Sequence, residues 1–160
     1  AVKAGLNYAM SLHSSVIAHS NGYAENLYLD PATRTYVEET GGSNVIFVDK
    51  DGNLVVPKSD SILPSITRRS IVYIAEHYLN LKVDERPVRY DEIKNFKECA
   101  LCGTAAVISP VGRIVNHDEV IEFPSGMEKA GEVVSKLYDT ITGIQSGKIE
   151  APEGWIRKIC

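Results

Sequence analysis

The chain has 160 residues, 44% of them hydrophobic and 24% charged, which is a globular composition and excludes a disordered or collagen-like chain. A formal net charge of -4, with no basic run longer than Arg68-Arg69, excludes a general binder of nucleic acid or anionic membranes. No apolar stretch approaches the roughly 20 residues of a membrane-spanning helix, and three cysteines are too few for a disulfide scaffold. We therefore expect a cytoplasmic protein without a membrane partner.

Helical periodicity opens the chain, and short strands follow it. Tyr8, Leu12 and Val16 recur every four residues, which predicts a helix over residues 7–20. The next segments are short and rich in β-branched and aromatic residues, which is typical of strands. The strands predicted in this way cover residues 26–29, 35–38, 45–48 and 54–56.

A tight turn is predicted between the last two of these strands. Asp51-Gly52 is the short-range signature of a hairpin turn whose backbone needs positive φ. Asp49, Asp51 and Asn53 loosely resemble a calcium-binding loop, but the later glycine and glutamate that close such a loop are missing. We therefore predict a β-hairpin here and no metal site.

The remaining elements alternate between helix and strand without the regular βαβ order of a doubly wound sheet. This order predicts an α+β fold, a mixed barrel-like sheet with flanking helices, and one domain over residues 1–160. The elements predicted are a helix that opens at Pro64-Ser65 and ends before Asn80, a strand and helical turn over 88–96, a strand pair of 105–109 with 113–115, and a helix over about 128–145.

Four segments could approach a ligand closely, although each also has an ordinary structural interpretation. One of them is the run of small residues Cys102-Gly103-Thr104-Ala105-Ala106, which joins a turn to a strand. Lys3 precedes the small residues Ala4-Gly5, and a lysine of lowered pKa can attack an aldehyde, but a lysine near a terminus is ordinarily a solvated charge and taken singly is no evidence for this chemistry. The glycine turn over 40–44 can be a simple connection between strands. The helix start over 63–67 suits a phosphate but also suits ordinary capping.

Cys99-x-x-Cys102 leaves a further choice open. It could be half of a zinc site or a redox pair. No second cysteine pair and no histidine pair with ligand spacing accompanies it, so two structural thiols are the simpler interpretation.

Several segments match a known family in their order along the chain. They are Lys3-Ala4-Gly5-Leu6-Asn7-Tyr8, Tyr36-Val37-Glu38-Glu39, Asn44 with Phe47, Ile62-Leu63-Pro64-Ser65-Ile66-Thr67-Arg68, the run from Gly103 to Gly112, and Gly143-Ile144-Gln145-Ser146-Gly147. With these segments the chain resembles the branched-chain aminotransferases of the pyridoxal-phosphate fold-type IV class. The departures are Ser65, where the family commonly has glycine, and the residues that follow Glu39.

The resemblance implies a homodimeric enzyme that exchanges an amino group between Leu, Ile or Val and 2-oxoglutarate, with pyridoxal 5'-phosphate as cofactor. Lys3 would hold the cofactor as a Schiff base and carry the proton at the substrate Cα. Tyr8 would donate a hydrogen bond to the phenolic oxygen of the cofactor. Glu39 would face the pyridine nitrogen and keep it protonated.

The same resemblance implies which residues would bind the phosphate of the cofactor and the carboxylate of the substrate. Ile66 and Thr67 would offer backbone amides to the phosphate, and Thr104 would bind it as well. Thr104 and Ala105 would also offer amides to the substrate carboxylate. The fold implied is the large C-terminal, cofactor-binding domain of this class, with the family's N-terminal domain expected to be absent.

Two alternatives to a branched-chain aminotransferase remain open. A D-amino-acid aminotransferase or an aminodeoxychorismate lyase would reuse Lys3 and Glu39 with other substrates. A non-catalytic fragment of such an enzyme would fold but would not convert substrate.

Overall fold

The computed structural model describes residues 4–157 and 159, so the predicted catalytic residue Lys3 lies outside the described residues. Its α-helices are α1 (Gly5–Ala9), α2 (Leu12–Ser20), α3 (Ile66–His77) and α4 (Glu132–Gln145), and a 3₁₀ helix covers Tyr90–Asn95. The strands are β1 (Leu27–Leu29), β2 (Val37–Thr40), β3 (Asn44–Val48), β4 (Leu54–Pro57), β5 (Val83–Arg86), β6 (Glu98–Gly103), β7 (Val107–Val111), β8 (Arg113–Asn116) and β9 (Glu119–Glu122).

A mixed seven-stranded sheet organises the fold. Strands β1 to β5 follow one another in the sheet, and β6 pairs with the other edge of β3 and with β7. All pairs are antiparallel except β4 with β5, which run parallel. Strands β8 and β9 form a separate two-stranded ribbon. The predicted α+β class with a mixed sheet and flanking helices is therefore confirmed.

Apolar side chains cover both faces of the sheet. Alternate residues of a strand point to opposite faces, so β3 places Ile46 on one side and Phe47 on the other. Helices α3 and α4 pack on the Ile46 face, where Ile74 and Leu137 are completely buried. Each such side chain contributes about 1.5–3 kcal/mol by its burial. The Phe47 face is covered by the 3₁₀ helix and by β8 and β9.

The predicted hairpin is confirmed, while the first predicted helix is divided. Gly52 has a φ of +86° between the antiparallel strands β3 and β4. The helix predicted over 7–20 is interrupted at Ser11, whose hydroxyl and amide both donate to the carbonyl of Tyr8. A serine that bonds to the preceding turn competes with the helical pattern. The second piece, α2, buries none of its residues, and Leu12 is 65% exposed.

Other predicted elements differ from the structure. In the segment 88–96 the predicted helical turn is confirmed as the 3₁₀ helix Tyr90–Asn95, but the predicted strand is reduced to an isolated β-bridge between Arg89 and Tyr36, and the strand that precedes it is the polar β5. The predicted pairing of 105–109 with 113–115 does not occur, because β7 pairs with β6 and β8 pairs with β9. The last helix begins at Glu132, behind the N-cap residue Gly131, and not near 128.

Within the described part of the chain, no helix is both long and apolar enough to cross a bilayer.

Candidate active site

A cavity of about 280 Å³ lies where β2, β3 and β6 meet the first turn of α3. Of the predicted site residues, Tyr8, Glu39, Ile66 and Thr104 line it. Thr67 lines an adjoining cavity of about 620 Å³, which also reaches Ile66 and Thr104. The structure therefore brings together residues that are as much as 96 positions apart in the sequence, as the span from Tyr8 to Thr104 shows.

Glu39 is held by two donors on one of its oxygens. The Asn44 side-chain amide donates to Oε2 at 2.8 Å, and the Leu63 backbone amide donates to the same atom at 3.1 Å. Burial raises the pKa of the Glu39 carboxyl above its ordinary value, and the charge of Glu38 acts in the same direction. The two hydrogen bonds and the positive charge of Arg68 oppose this rise. Glu39 is thus a partly desolvated carboxylate with an incomplete set of partners.

Glu38 serves a different purpose. Strand alternation directs it away from Glu39, and its Oε1 accepts a hydrogen bond from the Ser59 hydroxyl at 3.0 Å. This contact connects β2 to the loop before α3. Glu38 is therefore a structural neighbour of the site.

The first turn of α3 presents free backbone amides to the cavity. Ser65 is the N-cap residue, and its hydroxyl accepts from the Arg68 amide at 3.3 Å. Among the described residues, no hydrogen bond has the amide of Ile66 or of Thr67 as its donor. The start of a 12-residue helix with two unsatisfied amides favours an anion. The serine that replaces the family's glycine is thus compatible with the helix start.

A strained turn forms another wall of the cavity. Thr104, Ala105 and Ala106 connect β6 to β7, and Gly103 pairs with Val107 across the hairpin. Val107 has a φ of +60°, which a β-branched residue rarely adopts. Val107 is the first residue of β7, directly after this three-residue turn. The turn leaves Thr104 and Ala105 exposed, with Thr104 at the cavity and Ala105 beside it.

The glycine turn after Glu39 is closed by the side chain of Thr40. The Thr40 hydroxyl donates to the Ser43 carbonyl at 2.9 Å and accepts from the Ser43 amide at 3.0 Å. A Cβ at Gly41 would lie 3.1 Å from the Glu25 carboxylate, which is tighter than most such contacts. Gly41 therefore lets the turn lie close to Glu25.

Cys102 and Asn44 also line the cavity, although neither was among the predicted site residues. Asn44 is only 4% exposed, at the start of an otherwise apolar strand. In the sequence, the signal that could have identified Asn44 is a polar residue at the start of an otherwise apolar strand. Burial raises the pKa of the Cys102 thiol to about 12, so it is protonated at neutral pH.

Cys99 and Cys102 do not act as a pair. They lie three residues apart on β6, so their side chains point to opposite faces of the sheet and belong to different apolar clusters. Among the described residues, no group of three or more histidine, cysteine or acidic side chains is arranged to hold a metal ion. Asp49, from the calcium-like segment, instead accepts hydrogen bonds from Asp51 and Asn53 and so closes the β3–β4 turn.

The chain matches known proteins over most of its length. The model of the family described as amino-transferase class IV matches residues 3–114. The branched-chain-amino-acid aminotransferase of Haemophilus influenzae is 46% identical over 163 residues, which cover 99% of this chain and 47% of that protein. The corresponding protein of Helicobacter pylori is 42% identical over 158 residues, 99% of this chain and 45% of that protein.

The chain is also similar to solved structures of branched-chain amino acid aminotransferases. The crystal structure of a branched-chain amino acid aminotransferase from Thermobaculum terrenum, in its PLP form, has a TM-score of 0.80 and 37% identity, covering 92% of this chain and 45% of that chain. The Escherichia coli enzyme has a TM-score of 0.83 and 32% identity, with 98% and 48% covered. The chain thus spans about half the length of the curated relatives it matches. By the extent of the family match, it belongs to the class IV aminotransferases.

Proposed function

We propose that this chain forms the cofactor-binding domain of a branched-chain amino acid aminotransferase. The reaction would exchange an amino group between Leu, Ile or Val and 2-oxoglutarate, with pyridoxal 5'-phosphate as cofactor. The observation that carries the proposal is the half-buried Glu39 carboxylate, fixed through one oxygen inside a cavity that the first turn of α3 also lines. The names of the matching relatives support the same substrate class.

The residues around the cavity fit pyridoxal phosphate at both of its charged ends. Glu39 has too few partners for a partly desolvated carboxylate, and a protonated ring nitrogen would supply the missing positive partner. The unsatisfied amides of Ile66 and Thr67 and the adjacent Thr104 suit the phosphate. Tyr8 lines the same cavity and is available to the phenolic oxygen. When bound, pyridoxal phosphate supplies a ring that accepts the electrons left at the amino-acid Cα.

Each residue then has a defined task. Glu39 would hold a proton on the ring nitrogen, because its ionised oxygen would stabilise that positive charge. Lys3 remains the proposed catalytic residue, whose amine would hold the cofactor and would move the proton at the substrate Cα. The amides of Thr104 and Ala105 would orient the substrate carboxylate, since their turn is strained into one shape at Val107.

The assembly around the domain is part of the same proposal. We infer that residues 1–160 act as one cofactor-binding domain and that the active enzyme is a cytoplasmic homodimer whose site a further domain completes. The matching relatives are about twice as long as this chain, which supports a contribution from outside it. Exposed apolar side chains at Leu6, Met10 and Leu12 would suit contact with such a partner surface.

The test is covalent mapping of the cofactor. The purified protein is incubated with pyridoxal phosphate, its visible absorbance is recorded, and borohydride reduction fixes the cofactor for peptide mass spectrometry. We expect one modified residue, Lys3, whose loss in Lys3→Ala abolishes the absorbance band. Lys58→Ala, at an exposed lysine, is the matched control and should keep the band.

Substrates separate the remaining possibilities. Amino transfer from L-leucine to 2-oxoglutarate supports the proposal, whereas transfer from D-alanine would indicate a D-amino-acid aminotransferase. Scattered labelling of surface lysines with a folded circular-dichroism spectrum would overturn the proposal and identify a non-catalytic domain.

A further inference from the structure

We propose that Asn44 is a positioning residue for Glu39: its side-chain amide fixes one carboxylate oxygen so that the other is presented to the ligand. This inference rests on the proposed function, because it gives Glu39 a charged ligand to face. It assigns Asn44 no contact with substrate or cofactor.

The hydrogen-bond pattern separates the two oxygens of Glu39. Glu39 and Asn44 are paired in the β2–β3 hairpin, which brings their side chains together. Both donors to this carboxylate, Asn44 Nδ2 and the Leu63 amide, bind Oε2. Within the described part of the chain, Oε1 accepts no hydrogen bond. Oε1 is therefore the oxygen left for a donor in the cavity.

Packing does not explain an asparagine at this position. The residues that follow it in β3, Val45, Ile46, Phe47 and Val48, are all apolar and buried. Asn44 is itself buried, and its Oδ1 has no hydrogen-bond partner among the described residues. An apolar side chain would avoid the cost of an unpaired buried oxygen. The amide is thus kept for the one bond that it does make, to Glu39.

A neutral donor suits this task better than a charged one. Glu38 and Arg68 are the charged groups that act on Glu39, with opposite signs. The Asn44 amide favours the ionised carboxylate without adding a charge that would compete with a protonated ligand. It also restricts the carboxylate rotation, which an exposed glutamate would otherwise retain.

The first test measures Glu39 without any cofactor. Carbon-13 NMR of the carboxyl groups, with the Glu39 signal assigned by its loss in Glu39→Gln, gives the Glu39 pKa in the cofactor-free protein. Removal of the Asn44 donor in Asn44→Leu should raise this pKa, because a bond to the ionised form is lost. Asn53→Leu is the matched control, since Asn53 donates to Asp49 Oδ2 at 3.0 Å in a different hairpin. That variant should leave the Glu39 pKa unchanged.

The second test separates positioning from structural support. Asn44→Leu should keep or raise the urea midpoint of unfolding at pH 4, where the Glu39 carboxyl is largely protonated and loss of the bond to its ionised form costs little. At pH 7 the dissociation constant for pyridoxal phosphate should rise roughly tenfold, as the loss of one hydrogen bond to a charged group predicts. Asn44→Ala provides a smaller side chain should leucine not be accommodated. An unchanged Glu39 pKa in both variants would overturn the inference. Failure of the wild-type protein to bind pyridoxal phosphate would instead contradict the proposed function, and the NMR titration would still decide the role of Asn44.

Discussion

Glu98 shows how a single buried side chain can cap the N-terminus of a helix that lies far from it in the sequence. It lies on β6, is 7% exposed, and accepts hydrogen bonds from the amides of Val133 and Val134 at 3.1 and 2.8 Å. These amides belong to the first turn of α4, whose N-cap residue, Gly131, has no side chain to bond them. A Cβ at Gly131 would overlap the Glu98 carboxylate, so glycine is required there. Glu98 therefore caps α4 across 35 residues of sequence.

Replacement of Glu98 by alanine should destabilise the protein by about 2–3 kcal/mol, because two buried helix amides lose a charged acceptor. Urea denaturation followed by circular dichroism measures this change. Glu132→Ala is the matched control in the same turn, where only an exposed i,i+4 pair with Lys136 is lost and a much smaller effect is expected. Equal effects of the two substitutions would contradict the capping role of Glu98.

Supporting residues such as Glu98 could not be predicted from the sequence, whereas several residues of the candidate site could. The family resemblance located Tyr8, Glu39, Ile66 and Thr104, and the structure brings all four to one cavity. Their roles remain predictions. The support that surrounds them was not predictable, since the bond from Asn44 to Glu39 depends on the register of a hairpin and that from Glu98 to α4 on tertiary packing.

Among the elements, those with strong local signals were predicted and those defined by their neighbours were not. Asp51-Gly52 specifies its own hairpin, because its backbone requirement is local. Strand β6 lies between β3 and β7, yet its Cys, Ala and Gly residues have little intrinsic strand preference. Strand β5 is polar and exists because it pairs in parallel with β4. Such strands are fixed by the sheet and not by their own sequence.

The placement of two cysteines on β6 leads to a prediction about their reactivity. Cys99 and Cys102 point to opposite faces, and burial raises the pKa of both thiols, to about 12 for Cys102. We expect neither to be alkylated by iodoacetamide in the folded protein at pH 7.5, and both to be alkylated in guanidinium chloride. Peptide mass spectrometry reads each site separately. A disulfide between them after mild oxidation of the folded protein would contradict the described geometry of β6.

Across the whole molecule, stability depends on pH through two kinds of carboxyl group: those whose pKa is lowered in the folded state and those whose pKa is raised. A backbone hydrogen bond from Tyr36, with others from Thr33 and Thr35, holds the pKa of Asp30 well below its ordinary value of 3.8. Arg86 lowers the pKa of Glu92 below its ordinary value of 4.5. Such groups stabilise the fold above their unfolded pKa, and this contribution is lost as the pH falls through the folded pKa. The free energy of unfolding should therefore decrease below about pH 4.

Glu39 acts in the other direction, because burial raises its pKa. The folded state then binds a proton more tightly than the unfolded state, so stability is lost as the pH rises through the folded pKa of Glu39. Glu39→Gln should unfold at a higher urea concentration than wild type at pH 7, and this difference should shrink at pH 4, where the carboxyl is largely protonated. Asp30→Asn is the control of opposite sign and should unfold at a lower urea concentration at pH 7. A site that holds a charge at a cost to the fold is expected where that charge serves a ligand. If Glu39→Gln proves less stable at pH 7, the bonds from Asn44 and Leu63 outweigh desolvation, and Glu39 is a structural carboxylate.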